Sequence, residues 1–191
     1  TPTATVRAER QPTMSYTIII PSKNRLDLLK QCIASLREYT DGGTVAVVDT
    51  GNGQDGAWAK GQGCYVVDLP GATYARANNE AARRFPNTNL VLLNNDCFLR
   101  APIKVSSTGI TGSRLRYPDG LVQHAGIGFN SDGGGYNLWR LAPAEHPEVM
   151  KVRYLPAVTF AYAVIPFHVW QEVGGMDERY HNCYEDVDYC L

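Results

Sequence analysis

A chain of 191 residues, 44% of them apolar and 19% charged, is long enough for one domain with a full hydrophobic core. Its net charge of −1 supplies no field that would draw a nucleic acid or an anionic membrane surface. The five cysteines are odd in number, widely spaced and without a CxxC pair, so they read as reduced thiols rather than staples. The longest nearly apolar run, Val158 to His168, is interrupted by Pro166 and too short to span a bilayer, and Thr1 to Ser15 lacks the apolar core of a signal peptide. A soluble, cytosolic protein with no transmembrane segment is expected.

Thr1 to Ser15 has prolines, small polar residues and no periodicity, and reads as a flexible leader; the domain begins at Tyr16 and runs to Leu191. Tyr16 to Ile20 is a buried strand, Pro21-Ser22-Lys23-Asn24-Arg25 a polar loop, and Leu28, Leu29, Cys32, Ile33 and Leu36 mark one face of a helix that starts near Asp27 and stops at Asp41-Gly42-Gly43. Thr44 to Val48 is a second buried run ending on Asp49-Thr50-Gly51-Asn52. Asn52 to Gly63 reads as a loop with one helical turn near Ala57 to Lys60. Cys64 to Leu69 is a third strand, and Thr73 to Phe85 an Ala-rich helix ended by Pro86-Asn87. Leu90 to Leu93 is an unalternated apolar run of the kind that fills a parallel strand covered on both faces. Strands alternating with helices predict an α/β domain whose Rossmann-like, mostly parallel sheet is flanked by helices. After Asp96 the pattern turns antiparallel. Ile110 to Leu115 is a short strand, Tyr117 to Gly120 a turn, Leu121 to Phe129 an edge ribbon, and Ser131 to Tyr136 a glycine-rich loop. Further strands fall in Val152 to Ile165, a short helix at Val169 to Val173 before Gly174-Gly175, and a last helix from Tyr184 onward.

The chemistry gathers at strand ends. Ligands of open α/β sheets lie outside the carboxyl ends of the strands, so Asn94, Asn95 and Asp96 stand where a ligand or hard cation such as Mn²⁺ or Mg²⁺ would be held, although the same tripeptide is also an ordinary turn. Asp49, Asp96 and the Glu185-Asp186-Val187-Asp188 cluster are the carboxylates to bring together, one group for a metal and its diphosphate, another to take a proton from an attacking hydroxyl. The plain alternative for the cluster is helix-terminal acidity. Arg25 and Arg76 are the phosphate candidates. His124 and Trp139 suit sugar or acceptor contact, against a packed or surface role, and His181, Cys183 and Cys190 match no standard zinc spacing. No G-x-G-x-x-G follows the first strand and no P-loop lysine motif occurs, which removes support from dinucleotide oxidoreductases and P-loop NTPases.

Taken in order, T-I-I-I-P-S-K-N-R at Thr17 to Arg25, V-V-D-T-G-N at Val47 to Asn52, A-R-A-N-N-E-A-A at Ala75 to Ala82, L-L-N-N-D at Leu92 to Asp96, Y-P-D-G-L-V-Q-H-A-G at Tyr117 to Gly126, G-G-M-D-E-R-Y at Gly174 to Tyr180 and Y-E-D-V-D-Y-C-L at Tyr184 to Leu191 resemble the family-two glycosyltransferases. The resemblance implies a GT-A fold, a nucleotide-sugar donor (a UDP-sugar), transfer with inversion to a glycan, lipid-linked or other hydroxyl acceptor, and a divalent metal. By residue it implies a nucleotide pocket lined by Pro21, Asn24, Arg25 and Asp49 with Asn79 nearby, a metal at Asp96, and a base in Glu185-Asp186, with Asp186 favoured. Asn94 departs from the family by replacing the first aspartate of the metal motif, and the segment after Asp96 is short. The chain also stops inside its last helix, which reads as a truncated form or a minimal enzyme. The alternatives are a catalytically inactive nucleotide-sugar binder and a sugar nucleotidyltransferase.

Overall fold

The computed structural model describes residues 15–40, 42–105, 108–181 and 183–191. The predicted leader, Thr1 to Ser15, lies outside the described residues except for Ser15, as does the Asp41 end of the first helix stop. The first half runs β1 (Tyr16–Ser22), α1 (Leu26–Tyr39), β2 (Thr44–Asp49), α2 (Gln54–Gly61), β3 (Tyr65–Asp68), α3 (Tyr74–Ala82) and β4 (Asn89–Leu93). The second half runs β5 (Thr111–Gly112), β6 (Leu115–Arg116), β7 (Val122–His124), β8 (Ile127–Phe129), β9 (Gly135–Asn137), β10 (Tyr162–Ile165), α4 (Phe167–Val173) and α5 (Glu185–Cys190).

Six strands form the central sheet in the order β3-β2-β1-β4-β10-β5. β1, β2, β3 and β4 are parallel; β10 pairs antiparallel with β4, and β5 antiparallel with β10. Strand alternation sorts the core into two layers. Ile18 and Ile20 of β1 face Leu29, Cys32, Ile33 and Leu36 of α1 and Ala59 of α2, while Ile19 faces Ala75, Ala77 and Ala81 of α3. Helices therefore cover both faces, as the buried apolar run Leu90 to Leu93 of β4 requires. The alanines of α3 keep that helix close to the sheet, and Thr73 caps it by accepting the Arg76 N–H at 3.3 Å.

Three local expectations are revised. β1 continues through Pro21 and Ser22, in register with Val48 and Asp49 of β2. Proline has no N–H to give, and pairing between β1 and β4 ends at Ile19 with Leu92, so the two strands part beyond it. Second, α2 is a full helix rather than one turn in a loop. Its glycines hid it: a Cβ on Gly56 would lie 3.0 Å from Val66 Cγ1 and 3.2 Å from Asp49 Cβ, so glycine is there for close packing. Third, the strand expected over Ile110 to Leu115 divides between β5 in the main sheet and β6, and the ribbon at Leu121 to Phe129 divides between β7, paired with β6, and β8, paired with β9. Gly126, at φ +112°, makes the break.

Candidate active site

The order β3-β2-β1-β4 reverses direction between β1 and β4, and that switch point is where a crevice opens in an α/β sheet. Both edges of the crevice are held by polar side chains. Buried Asp55, in the first turn of α2, takes the Ser22 hydroxyl at 2.6 Å and the Arg25 N–H at 3.0 Å on one carboxylate oxygen. Asn95 then donates its side-chain amide to Ser22 Oγ at 2.8 Å, bridging β1 to the end of β4 where the backbone ladder has stopped. Asn24, at φ +54°, accepts the Asn52 N–H at 3.0 Å and so joins the loops after β1 and β2. A Cβ on Gly51 would stand 2.2 Å from Asn24 Oδ1, which makes glycine obligatory to that joint.

Asp49 is 1% exposed, and its two oxygens accept the N–H groups of Gly51 at 2.8 Å and Gly56 at 2.7 Å. It shapes the loop into α2, and a cleft of about 150 Å³ opens beside it between α2 and Asp68 at the end of β3. A larger cavity of about 310 Å³ lies at the opposite edge of the sheet, around Leu36, Thr40, Thr44 and Cys64, away from every carboxylate of interest. Arg25 is exposed and forked onto Asp27 at 3.0 and 3.1 Å, and the charge of Asp96 bears on it from across the crevice. Asp96 itself is exposed at the end of β4, where its carboxylate accepts the Cys97 thiol at 3.9 Å. Burial and the Asp96 charge push the Cys97 thiol up to about 12, so it stays protonated beside that carboxylate.

The second half meets this edge through Thr159, Phe160 and Ala161, which precede β10. The Ala161 carbonyl accepts the Asn94 N–H at 2.9 Å, the Phe160 carbonyl accepts the hydroxyl of half-buried Tyr74 at 2.6 Å, and the Phe160 N–H donates to Asp186 Oδ2 at 3.2 Å. The other Asp186 oxygen takes the Val187 N–H at 2.9 Å. Glu185 precedes it at the start of α5, half-buried, with Oε2 shut from solvent and unpartnered; burial pushes its carboxyl up from the ordinary range. Tyr74 feels both carboxylates, and burial drives its phenol well above its usual value.

Of the residues the sequence singled out, Pro21, Asn24, Arg25, Asn94, Asn95 and Asp96 flank the switch point. Asp49 lies just beside it, under α2. Asp186 reaches the same edge through its bond to the Phe160 N–H, and Glu185 precedes it at the start of α5. Asn79 spends its side chain on the segment after α4: it donates to the Met176 carbonyl at 2.8 Å and to Glu178 at 2.9 Å, and accepts the Met176 N–H at 2.9 Å. It clamps the segment after Gly174-Gly175, where a Cβ on Gly175 would sit 2.8 Å from its oxygen. Trp139 stacks on His146 at 5.3 Å, and Arg76 is exposed on the first turn of α3. Sequence reasoning passed over Ser22, Asp55 and Tyr74. Only Asp55 carried a usable signal, an acid at a helix start seven residues from Gln62 and six after Asp49.

The chain is 29% identical to the O-antigen biosynthesis protein RfbC of Myxococcus xanthus over 97% of its own length and 16% of that protein. Among solved structures it is similar to a mannosyltransferase, PcManGT from Pyrobaculum calidifontis, in complex with GDP-Man and Mn²⁺ (TM-score 0.62, 15% identity, 91% of this chain and 50% of that one). It is also similar to S. aureus TarS 1-349 (TM-score 0.55, 12% identity, 93% of this chain and 54% of that one). The fold is a GT-A-like glycosyltransferase fold. No family model matches the chain. The chain spans about a sixth of the curated relative and half of the mannosyltransferase.

Within this GT-A-like fold the fit of a divalent cation can be judged from the donors present. No group of three or more His, Cys, Asp or Glu side chains converges among the described residues. Asn95 is engaged by Ser22, and Asn94 contributes its backbone to Ala161 and Cys97. None of these bonds takes up a side-chain amide oxygen; Asp96 is the carboxylate at this edge, an exposed hard-oxygen ligand, and it fits an ion taking its other ligands from diphosphate oxygens and water. No helix among the described residues is long and apolar enough to cross a membrane.

Proposed function

We propose that this chain carries the donor-binding and catalytic part of an inverting glycosyltransferase, moving a sugar from a nucleoside-diphosphate donor, foremost a UDP-sugar, to an acceptor hydroxyl. One observation supports it above the rest. A single backbone segment, Thr159 to Ala161, is bonded at one end to Asn94, two residues before Asp96, and in its middle to Asp186. Donor side and base side thus share one rigid frame, the preorganisation that a direct displacement needs.

In this reading the loops at Asn24, Arg25 and Asp49 receive the nucleotide and Asp96 holds Mn²⁺ or Mg²⁺, which when bound supplies a Lewis acid for the diphosphate. Asp186 accepts the proton of the acceptor hydroxyl as that oxygen bonds to the anomeric carbon and the carbon's bond to the diphosphate breaks, inverting the centre. Glu185, half-buried beside Asp186 at the start of α5, is suited to orient the acceptor. The name of the M. xanthus relative favours a saccharide or lipid-linked saccharide as acceptor, and the near-neutral charge disfavours nucleic acid.

Calorimetry with UDP and GDP in Mn²⁺, followed by a panel of UDP- and GDP-sugars assayed for hydrolysis and transfer, tests the proposal. Binding with release of nucleoside diphosphate is expected. Absence of both binding and turnover across the panel overturns it. Binding without turnover on any acceptor favours the inactive binder, and release of pyrophosphate favours a nucleotidyltransferase.

A further inference from the structure

His124 is 2% exposed on β7 and belongs to no hydrophobic cluster. Its Nε2 faces the Thr159 N–H at 3.3 Å, so that nitrogen must be the acceptor. The ring proton therefore sits on Nδ1, which donates to Asn137 Oδ1 of β9 at 2.7 Å. Both edges of a neutral imidazole are used. The residue after Thr159 is Phe160, whose N–H meets Asp186.

Thr159, Phe160 and Ala161 belong to no strand or helix, so side chains on other elements hold them in place: His124 takes Thr159, Tyr74 and Asp186 take the two ends of Phe160, and Asn94 takes Ala161 through its backbone. We propose that His124 is a positioning residue for Asp186: by accepting the Thr159 N–H it orients the next peptide, so that the Phe160 N–H holds the Asp186 carboxylate in its working geometry. This rests on the reading of Asp186 as the base. Burial keeps the ring below the ordinary histidine range even with the opposing pull of the Asp186 charge, as a neutral acceptor requires.

The test compares His124→Phe, which fills the space without an acceptor, with His124→Gln, whose side-chain oxygen can take the Thr159 N–H. Mn²⁺-dependent hydrolysis of UDP-glucose and GDP-mannose is measured for each. Displacing a base by a fraction of an ångström costs on the order of ten- to a hundred-fold, so His124→Phe is expected to lose that much kcat with donor KM nearly unchanged, and His124→Gln to recover most of it. Equal kcat in parent and His124→Phe, or equal losses in the two variants, overturns the proposal. A second readout needs no turnover and so separates this inference from the donor reading. ¹⁵N spectra of the unmodified protein should show Nδ1 protonated and Nε2 bare, and the Phe160 amide resonance should move in His124→Phe but not in His124→Gln. A ring protonated on Nε2, or a Phe160 amide indifferent to both variants, refutes the proposal whether or not either sugar nucleotide is hydrolysed.

Discussion

Replacing Asn79 with alanine separates two roles for one residue. The family resemblance puts Asn79 near the nucleotide, whereas its amide closes three hydrogen bonds onto Met176 and Glu178, 97 and 99 residues further along. Met176 is 5% exposed, so in Asn79→Ala its N–H and carbonyl lose their partners with little access to water. Each such orphaned group costs about 1–3 kcal/mol, or about 4 kcal/mol for the pair. In a domain of this size each kcal/mol moves Tm by about 2–4 °C, so Tm should fall by about 8–16 °C. Nucleotide affinity of the folded fraction, measured by calorimetry below the transition, should be unchanged. Turnover should fall, because the clamped segment leads into α5 and its carboxylates. If Tm stays within about 2 °C of the parent while UDP or GDP affinity drops tenfold, Asn79 is a nucleotide ligand and the clamp reading is wrong.

Asp186→Asn should lose about two to four orders of magnitude in turnover, the usual scale for a general base, with nucleotide affinity barely changed; near-parent activity together with a dead Glu185→Gln would move the base to Glu185. Asp96→Asn should abolish the Mn²⁺-dependent gain in UDP or GDP affinity while leaving metal-free binding as it was, read by calorimetry with and without EDTA. Glu185 also carries a pH signature. Its folded value is raised by burial, so the stability it contributes is present below the ordinary carboxylate value and is lost as pH rises through the raised one. Melts of Glu185→Gln and parent should therefore nearly coincide at pH 4 and separate by pH 7 with the variant higher; a pH-independent gap would show that the carboxyl is not desolvated.

Much of the first half is legible in the residues. Ile18 to Ile20, Val45 to Val48 and Leu90 to Leu93 are apolar runs too short for buried helices, α1 repeats its apolar face at helical spacing, and polar residues mark each strand end. Those patterns determine a parallel sheet with helices on both faces, and hence the edge at which Asn94 to Asp96 and the Pro21 to Arg25 loop must stand. They are local, because burying a strand or one helix face needs only the right polarity at the right period. What tertiary structure decided is which polar atom meets which. Asp49 turns one oxygen onto the loop before α2 and the other onto its first turn within seven residues, yet a run with three glycines conceals that helix. Asp55 joins Ser22 across 33 residues, His124 joins Thr159 across 35, and Tyr74 reaches Phe160 across 86. A hydrogen bond is satisfied by any donor brought within about 3 Å of an acceptor. Residue type alone therefore names the candidates at the carboxyl edge of the sheet, and only the packed chain selects the partners that hold them there.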